Sequence, residues 1–294
     1  MSGPSIEKTL TPKETFIFKD IVDSHFNPNW HFHQEFQISL IARGKGTRFI
    51  GDHVQTFQEE DLVFTGPNLP HLWRSDEAYF EKDSTLTTRG LVIYFDHELL
   101  SKSLLNKEEF YNINKLVINS LRGIEFYGET QRKVKSLLLK IDKETGFNRI
   151  IKLMEIINEL ANSKEYNLLS SPGYSNKFNG EDTEKMRTVY DYVMTNFKTK
   201  ISLDEIAHLL NMTTTSFCRY FKPRANKTFT RFVNDIRIGH ARKLLLEDNF
   251  NISQISYECG FNTLSNFNRQ FKAVTNLTPH EYRSLFINIK TSIS

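Results

Sequence analysis

The stretch that decides the fold is SQISYECGFNTLSNFNRQFKAVTNLTPHEYR, residues 253–283. Ser253 is the expected N-cap of a short helix, to which Ile252, Ile255, Ser256 and Cys259 give one apolar or small face. Gly260 can adopt the left-handed conformation that ends a helix, and Phe261 just beyond it can fold back onto the core. Thr263 caps a second helix, in which Phe267 and Phe271, four apart, mark the buried stripe. The outer face is left to Leu264, Ser265, Asn268, Arg269 and Lys272. Those residue types suit a DNA major groove: Arg grips guanine with two bonds, Asn pairs with adenine, an apolar tip meets the thymine methyl and Lys suits a phosphate. Thr278-Pro279-His280-Glu281 reads as a capping box with Pro at the first helical position of a third helix.

One such helix pair could equally be an ordinary amphipathic pair with a solvated face. The unit, however, recurs. Ser202-Leu203-Asp204-Glu205 is another capping box, with Leu203, Ile206, Ala207 and Leu210 as an inner face and Asn211-Met212 in the place of Gly260-Phe261. Phe217 and Phe221 match Phe267 and Phe271, Arg219-Tyr220-Phe221-Lys222 matches Arg269-Gln270-Phe271-Lys272, and both copies run on to an Asn, at 226 and 276. Two copies argue for a shared role. Between them, Thr228 to about Asp248 reads as one helix; about twenty residues span roughly 30 Å, close to the ~34 Å between successive major grooves on one face of DNA.

On Ile206-Ala207, Arg219, Phe221-Lys222, Arg237, Ala241, Leu244-Leu245, Cys259-Gly260-Phe261, Phe267, Arg269, Phe271-Lys272, Thr278-Pro279 and Tyr282-Arg283, the segment from about Met186 to Phe286 resembles the DNA-binding domain of the AraC/XylS family of bacterial transcription regulators. The resemblance implies that the first recognition helix presents Thr214, Thr215, Cys218 and Arg219 to bases and the second Leu264, Ser265, Asn268 and Arg269, with Lys222 and Lys272 on phosphates. Three residues depart from the family pattern. Pro223 falls in the tail of the first recognition helix, where it should end, kink or shorten it, and Asn226 and Asn276 replace the glycine usual after each helix. Asn tolerates the left-handed conformation, so both caps can survive.

A chain of 294 residues with 39% hydrophobic content can bury two modest cores. The net charge of +3 is uneven: from residue 181 onward 16 Lys and Arg face 11 Asp and Glu, and before it 22 face 24. A mildly basic C-terminal third fits DNA. Two cysteines imply no disulfide framework. With no signal-peptide core and no apolar run long enough to span a bilayer, the expected location is the cytoplasm, away from the membrane.

From Glu14 to Phe95, apolar or β-branched runs at 36–41, 47–50, 54–57, 62–64 and 91–95 alternate with turn sequences such as Gly51-Asp52 and Gly66-Pro67-Asn68. That spacing suggests a barrel or sandwich. The segment resembles a cupin, with His31-Phe32-His33 opening the first motif and Pro67 to His71 a degenerate second; in AraC-type regulators such a barrel is the sensory domain. His31, His33, Glu35 and Gln37 alternate, so on one strand they would share a face, which His71 could join. No metal and no cofactor are expected, because metal-binding cupins usually carry Glu where Gln37 stands; the histidines would then hydrogen-bond in the barrel mouth. A small-molecule site would draw on His31, His33, Gln37, Arg48, His71 and Trp73, as a few polar groups among aromatics.

From Asp96 to about Lys164 the pattern turns helical, with one stripe at Val134, Leu137, Leu138 and Ile141 and another at Ile150, Leu153, Ile156, Ile157 and Leu160. Such a hairpin can pack on the barrel or form a dimer surface, and the family resemblance favours dimerisation. The expected architecture is therefore α+β multidomain: a cupin-like barrel at 1–96, dimerisation helices at 97–169, a polar linker at 170–182, and an all-α domain with two helix-turn-helix motifs at 183–294. The expected function is an effector-controlled, sequence-specific DNA-binding regulator, by family habit an activator. It would act as a homodimer with RNA polymerase as a further partner, and would not be an enzyme. A metal-dependent cupin enzyme and a protein-binding adaptor are the alternatives.

Overall fold

The computed structural model describes residues 10, 14–172, 174, 180–247 and 250–285, and the chain falls into two compact units that, apart from Val54–Thr56, divide between Gly180 and Glu181. The outer ends of the expected domains, at 1–9, 11–13 and 286–294, lie outside the described residues, as do 173 and 175–179 of the expected linker. Ser170 does not belong to that linker. It is buried, and its hydroxyl donates to the carbonyl of Ile50 at 2.9 Å.

The first unit is built on two antiparallel sheets formed by β1 (Phe16–Asp23), β2 (Phe36–Arg43), β3 (Gly46–Ile50), β4 (His53–Phe57), β5 (Leu62–Thr65), β6 (His71–Ser75), β7 (Thr88–Phe95), β8 (Ile124–Phe126) and β9 (Tyr166–Leu168). The larger sheet runs β1-β7-β2-β5-β8-β9 and the smaller β4-β3-β6. β2 is the central strand, and its period of two sorts its residues between two cores. Phe36, Ile38 and Leu40 join a cluster with Val134, Leu138, Leu153 and Ile156 from the helices, while Ile41 joins Ile50, Phe57, Val63 and Trp73 on the side of the smaller sheet.

The stretch from 97 to 169 is not an independent helical piece. It forms α1 (Lys102–Leu105), α2 (Tyr111–Ser120), α3 (Gly128–Ile141) and α4 (Phe147–Asn162), yet β8 and β9 lie within it and extend the larger sheet. The apolar stripes of α3 and α4 share a single core with β2, β5 and β7. The inward stripe is used up by the sheet, which leaves Phe147 and Ile151 of α4 and Tyr111 and Ile118 of α2 exposed on the outside.

The second unit is helical: α5 (Gly180–Asn196), α6 (Leu203–Leu209), α7 (Thr214–Ala225), α8 (Phe229–Glu247), α9 (Ile252–Glu258) and α10 (Leu264–Thr275), followed by α11 at 279–285. Ser202 and Glu205 form the expected capping box of α6, and Thr278 and Glu281 exchange the same pair of bonds ahead of α11. The cap of α9 is Asn251 with Gln254, not Ser253. Asn251 sits one residue before the first helical turn, where its amide oxygen can reach the third backbone N–H.

Pro223 does not shorten α7. The helix runs to Ala225, twelve residues long like α10. Near the C-terminus the proline removes only the bond its own nitrogen would have made to the carbonyl four residues back, while Phe217, Phe221 and Ala225 remain buried. Both helices end on an asparagine in the left-handed region, Asn226 at φ 50° and Asn276 at φ 60°. Asn211 at φ 55° and Gly260 at φ 78° likewise stop α6 and α9 at equivalent points. Gly260 has a second reason to be glycine: a Cβ there would sit 2.5 Å from the carbonyl oxygen of Phe197. The α8 spacer is anchored at that same point, because Arg237 donates to the carbonyls of Phe197 and Thr199, each at 2.7 Å.

A residue with a Cβ costs roughly 1–2 kcal/mol in the left-handed conformation, less for Asn. Asn276→Ala is therefore expected to destabilise the second unit by about 1 kcal/mol and Asn276→Gly to leave it unchanged or more stable, read from thermal unfolding of both variants. Equal losses would mean that the asparagine side chain, not its backbone tolerance, is what matters.

Candidate functional site

Each recognition helix begins with a threonine cap. Thr213 accepts from the backbone N–H of Ser216 and Thr263 from that of Asn266, both at 3.2 Å. The two caps fix the first turn of α7 and α10 in the same way, fifty positions apart. The buried pairs Phe217/Phe221 and Phe267/Phe271 then fix the helix rotation. The first pair packs edge to face on Phe229. In the second, Phe267 meets Phe261 and Phe271 meets Tyr282.

With those faces buried, the expected contact residues emerge where the spacing put them. Thr215, Cys218, Arg219 and Lys222 are exposed on α7 and Thr214 is half-buried; Leu264, Ser265, Asn268, Arg269 and Lys272 are all exposed on α10. Leu264, 37% exposed, is an apolar side chain left in solvent at the start of a helix, where a thymine methyl would cover it.

Two positioning residues stand outside the expected set. Asn266 accepts from the Arg269 guanidinium at 3.0 Å across one helical turn, which limits the positions that side chain samples. Thr213 is the other, and the fifty-residue offset from Thr263 is the sequence signal that locates it. The two cysteines differ sharply: Cys218 is exposed on the α7 face, and Cys259 is buried, where burial pushes its thiol up to about 12.

In the first unit, His31, His33, His71 and Gln37 come together, although not on one strand. His31 and His33 precede β2, and His31 is held by an isolated bridge to His71 at the start of β6. One ring nitrogen from each of the three histidines lies within 4.8 Å of the others. Each Nδ1 faces a backbone carbonyl: His31 to Asn29 at 2.9 Å, His33 to Glu35 at 3.0 Å and His71 to Leu69 at 2.7 Å. A carbonyl only accepts, so each Nδ1 carries a proton. Burial holds His33 below the usual imidazole range and His71 well below it, with His31 nearby adding to both effects. Glu35 does not share the Gln37 face; its carboxylate lies on the Nδ1 side of His33, at 3.5 Å.

Arg48 and Trp73 belong to a neighbouring cluster. They are register partners across β3 and β6. Arg48 is fully buried and pairs with Asp61 and, at 2.5 Å, with Glu125, while the Trp73 indole donates to Asp61 at 3.3 Å. Burial alone would lower the Arg48 pKa, but the two carboxylates outweigh it and raise it. This ion cluster ties β3 of the smaller sheet to β8 of the larger one. Both terminal nitrogens of Arg48 are thus engaged within the protein, and its Nε is buried with no hydrogen-bond partner.

Residues 11–157 match the AraC-like ligand binding domain, and residues 206–284 match a helix-turn-helix domain. An uncharacterised HTH-type transcriptional regulator of Bacillus subtilis, YdeC, is 25% identical over 262 residues, covering 87% of this chain and 86% of that protein. The HTH-type transcriptional activator RhaS of Mannheimia succiniciproducens is 27% identical over 253 residues, covering 86% of this chain and 88% of its own length. Among solved structures, ToxT from Vibrio cholerae aligns over 92% of this chain and 98% of that one at 15% identity, with a TM-score of 0.36. No helix among the described residues is long and apolar enough to cross a membrane. With a β-rich ligand-binding unit joined to two capped helix pairs that each expose a polar face, the chain belongs to the AraC family of transcription regulators.

Proposed function

We propose that this regulator reads two successive major grooves, with α7 contributing Thr214, Thr215, Cys218 and Arg219 and α10 contributing Leu264, Ser265, Asn268 and Arg269 to base edges, while Lys222 and Lys272 meet phosphates. The observation that carries this reading is the repeat itself: the same cap, the same buried Phe pair and the same exposed Arg and Lys on both helices, joined by the 19 residues of α8. At 1.5 Å per residue α8 spans about 28 Å, a rigid spacer of nearly the groove-to-groove distance. A small molecule bound near His31, His33, Gln37 and His71 controls the protein by preferring one arrangement of its two units over another. Regulation is activation, as the printed name of the RhaS relative suggests by analogy. It operates in the cytoplasm through contact with RNA polymerase and without enzymatic turnover. The exposed apolar residues Tyr111, Ile118, Phe147 and Ile151 are the surface offered for homodimerisation.

Selection of duplexes from a random library by the purified full chain tests the reading. It is expected to enrich a bipartite site with halves about one helical turn apart, and Arg269→Ala is expected to bind that site about 1–3 kcal/mol more weakly with relaxed preference at one position. Unchanged affinity and selectivity would remove Arg269 from the base contacts. Lys222→Ala and Lys272→Ala are expected to weaken binding to all sequences alike and to flatten its salt dependence; an altered base preference with the same salt slope would contradict the phosphate assignment. The thiols supply an independent footprint. At mildly alkaline pH a thiol reagent should modify Cys218 and spare Cys259, and the selected duplex should slow the reaction at Cys218. Equal reaction with and without DNA would place Cys218 off the interface.

A further inference from the structure

The two recognition helices match at their caps, at their buried phenylalanines and at their exposed Arg and Lys, but they differ one turn before the arginine. Asn266 of α10 stands fifty positions after Ser216 of α7. Asn266 is half-buried, and its side-chain oxygen accepts from Nη2 of Arg269 at 3.0 Å, three residues further on. Ser216 is exposed, and its hydroxyl is engaged backward, accepting from the Thr213 hydroxyl at 3.0 Å. Among the described residues Arg219 has no hydrogen bond or ion pair. The difference follows from reach. Residues three apart on a helix are neighbours, and the amide oxygen of Asn lies one bond further from the backbone than a serine hydroxyl.

A free arginine gives up rotamer freedom when it docks on a base, whereas one already held near its bound position gives up less. The bond to Asn266 takes one of the five guanidinium N–H donors. It leaves Nη2 a second hydrogen, which with Nε–H or with Nη1–H still makes the two-donor fork that guanine O6 and N7 accept. Asn is also neutral. It restrains the guanidinium without cancelling the positive charge that favours DNA, as a carboxylate at 266 would.

We infer that Asn266 is a positioning residue that sets specificity: it holds Arg269 ready for one base, so the half-site under α10 is read more strictly at that position than the half-site under α7 at the equivalent one. The inference rests on the proposed base contacts of Arg219 and Arg269 and says which of the two discriminates. Faced with the wrong base, Arg269 loses its bond to Asn266 if it swings to another acceptor. Arg219 has no such bond to lose, and it can turn to a neighbouring base edge or to a phosphate and keep most of its binding energy.

The test is parallel selection from one random duplex library, at one salt concentration, by the full chain and its variants, with base frequencies read at every position. Arg219→Ala and Arg269→Ala locate the two positions by relaxing them. In the unsubstituted chain the Arg269 position is expected to show the stronger preference. Asn266→Ser should lower that preference about three- to tenfold and Ser216→Asn should raise the one at the Arg219 position by a similar factor, the scale of coupling between neighbouring side chains. Each exchange installs the residue that the other helix already carries at the same place, so both suit the fold. In an Arg269→Ala background, Asn266→Ser should change nothing further. Equal preference at the two positions of the unsubstituted chain would overturn the inference, as would a Ser216→Asn variant without gain. A loss from Asn266→Ser that persists at full size without Arg269 would overturn it too, by making Asn266 a base contact in its own right. If Arg269→Ala relaxes no position, the base-contact reading falls along with the inference; if it relaxes one and Asn266→Ser does not, only the inference falls.

Discussion

The rotation of each recognition helix about its own axis is set by two buried phenylalanines, and every proposed DNA contact depends on it. Burying one Phe side chain contributes about 1.5–3 kcal/mol, whereas an exposed ion pair on the opposite face contributes roughly 0–1 kcal/mol. Packing therefore decides which way the helix faces, and the polar residues take the positions that remain. Phe217 and Phe221 dock on Phe229, and Phe267 and Phe271 on Phe261 and Tyr282, so the two helices present corresponding residues even though their cores are built from different partners. α8 supplies Phe229 and Phe232 to the first core and Ile238, Ala241 and Leu245 to the second. It is thus part of both cores as well as the rod between them, and the spacing of the two polar faces cannot change without disturbing one core.

In the first unit β2 holds the comparable position. Its even-numbered residues Phe36, Ile38 and Leu40 meet the helices, and its odd-numbered Gln37, Ser39 and Ile41 meet the side of the smaller sheet. A slip of one residue would exchange the two sets and bury Gln37 among α3 and α4. The strand is therefore locked in register from both sides, which is what allows a polar amide to be held within 3.0 Å of two buried imidazoles.

The second unit was far more legible in the sequence than the first, for a physical reason. Its signals are local: caps, a spacing of four between phenylalanines and left-handed stops all act within a turn or two of helix, and the chain writes them twice. Even there, the cap is Asn251 in place of the expected Ser253, because both types suit the position and only the start of the helix decides. A proline near the end of a helix disrupts fewer bonds than one in its middle, so Pro223 leaves α7 at full length. The first unit depends on pairings between distant residues. β8 and β9, three residues each, are too short to show a period; β8 is a strand only because β5 offers it an edge, and β9 because β8 does. The gathering of His31, His33, Gln37 and His71 was legible in outline. The ion pairing of Arg48 was not, because Asp61 and Glu125 reach it from positions that no local pattern connects.

The lock on β2 also limits how occupancy of the histidine cluster could be felt elsewhere in the first unit. Cores packed at crystal-like density do not deform smoothly, and register cannot change, so the strand can respond only by moving as a body with the helices seated on its other face. A small molecule that draws Gln37 toward His33 and His71 would pull on the backbone shared with Ile38 and Leu40, whose side chains share a core with α3 and α4. The exposed residues Phe147 and Ile151 are on α4, the helix whose buried side receives that displacement. A tenfold preference for one position of the strand requires only about 1.4 kcal/mol of differential binding, which is the scale of a single hydrogen bond to Gln37 made in one position and lost in the other.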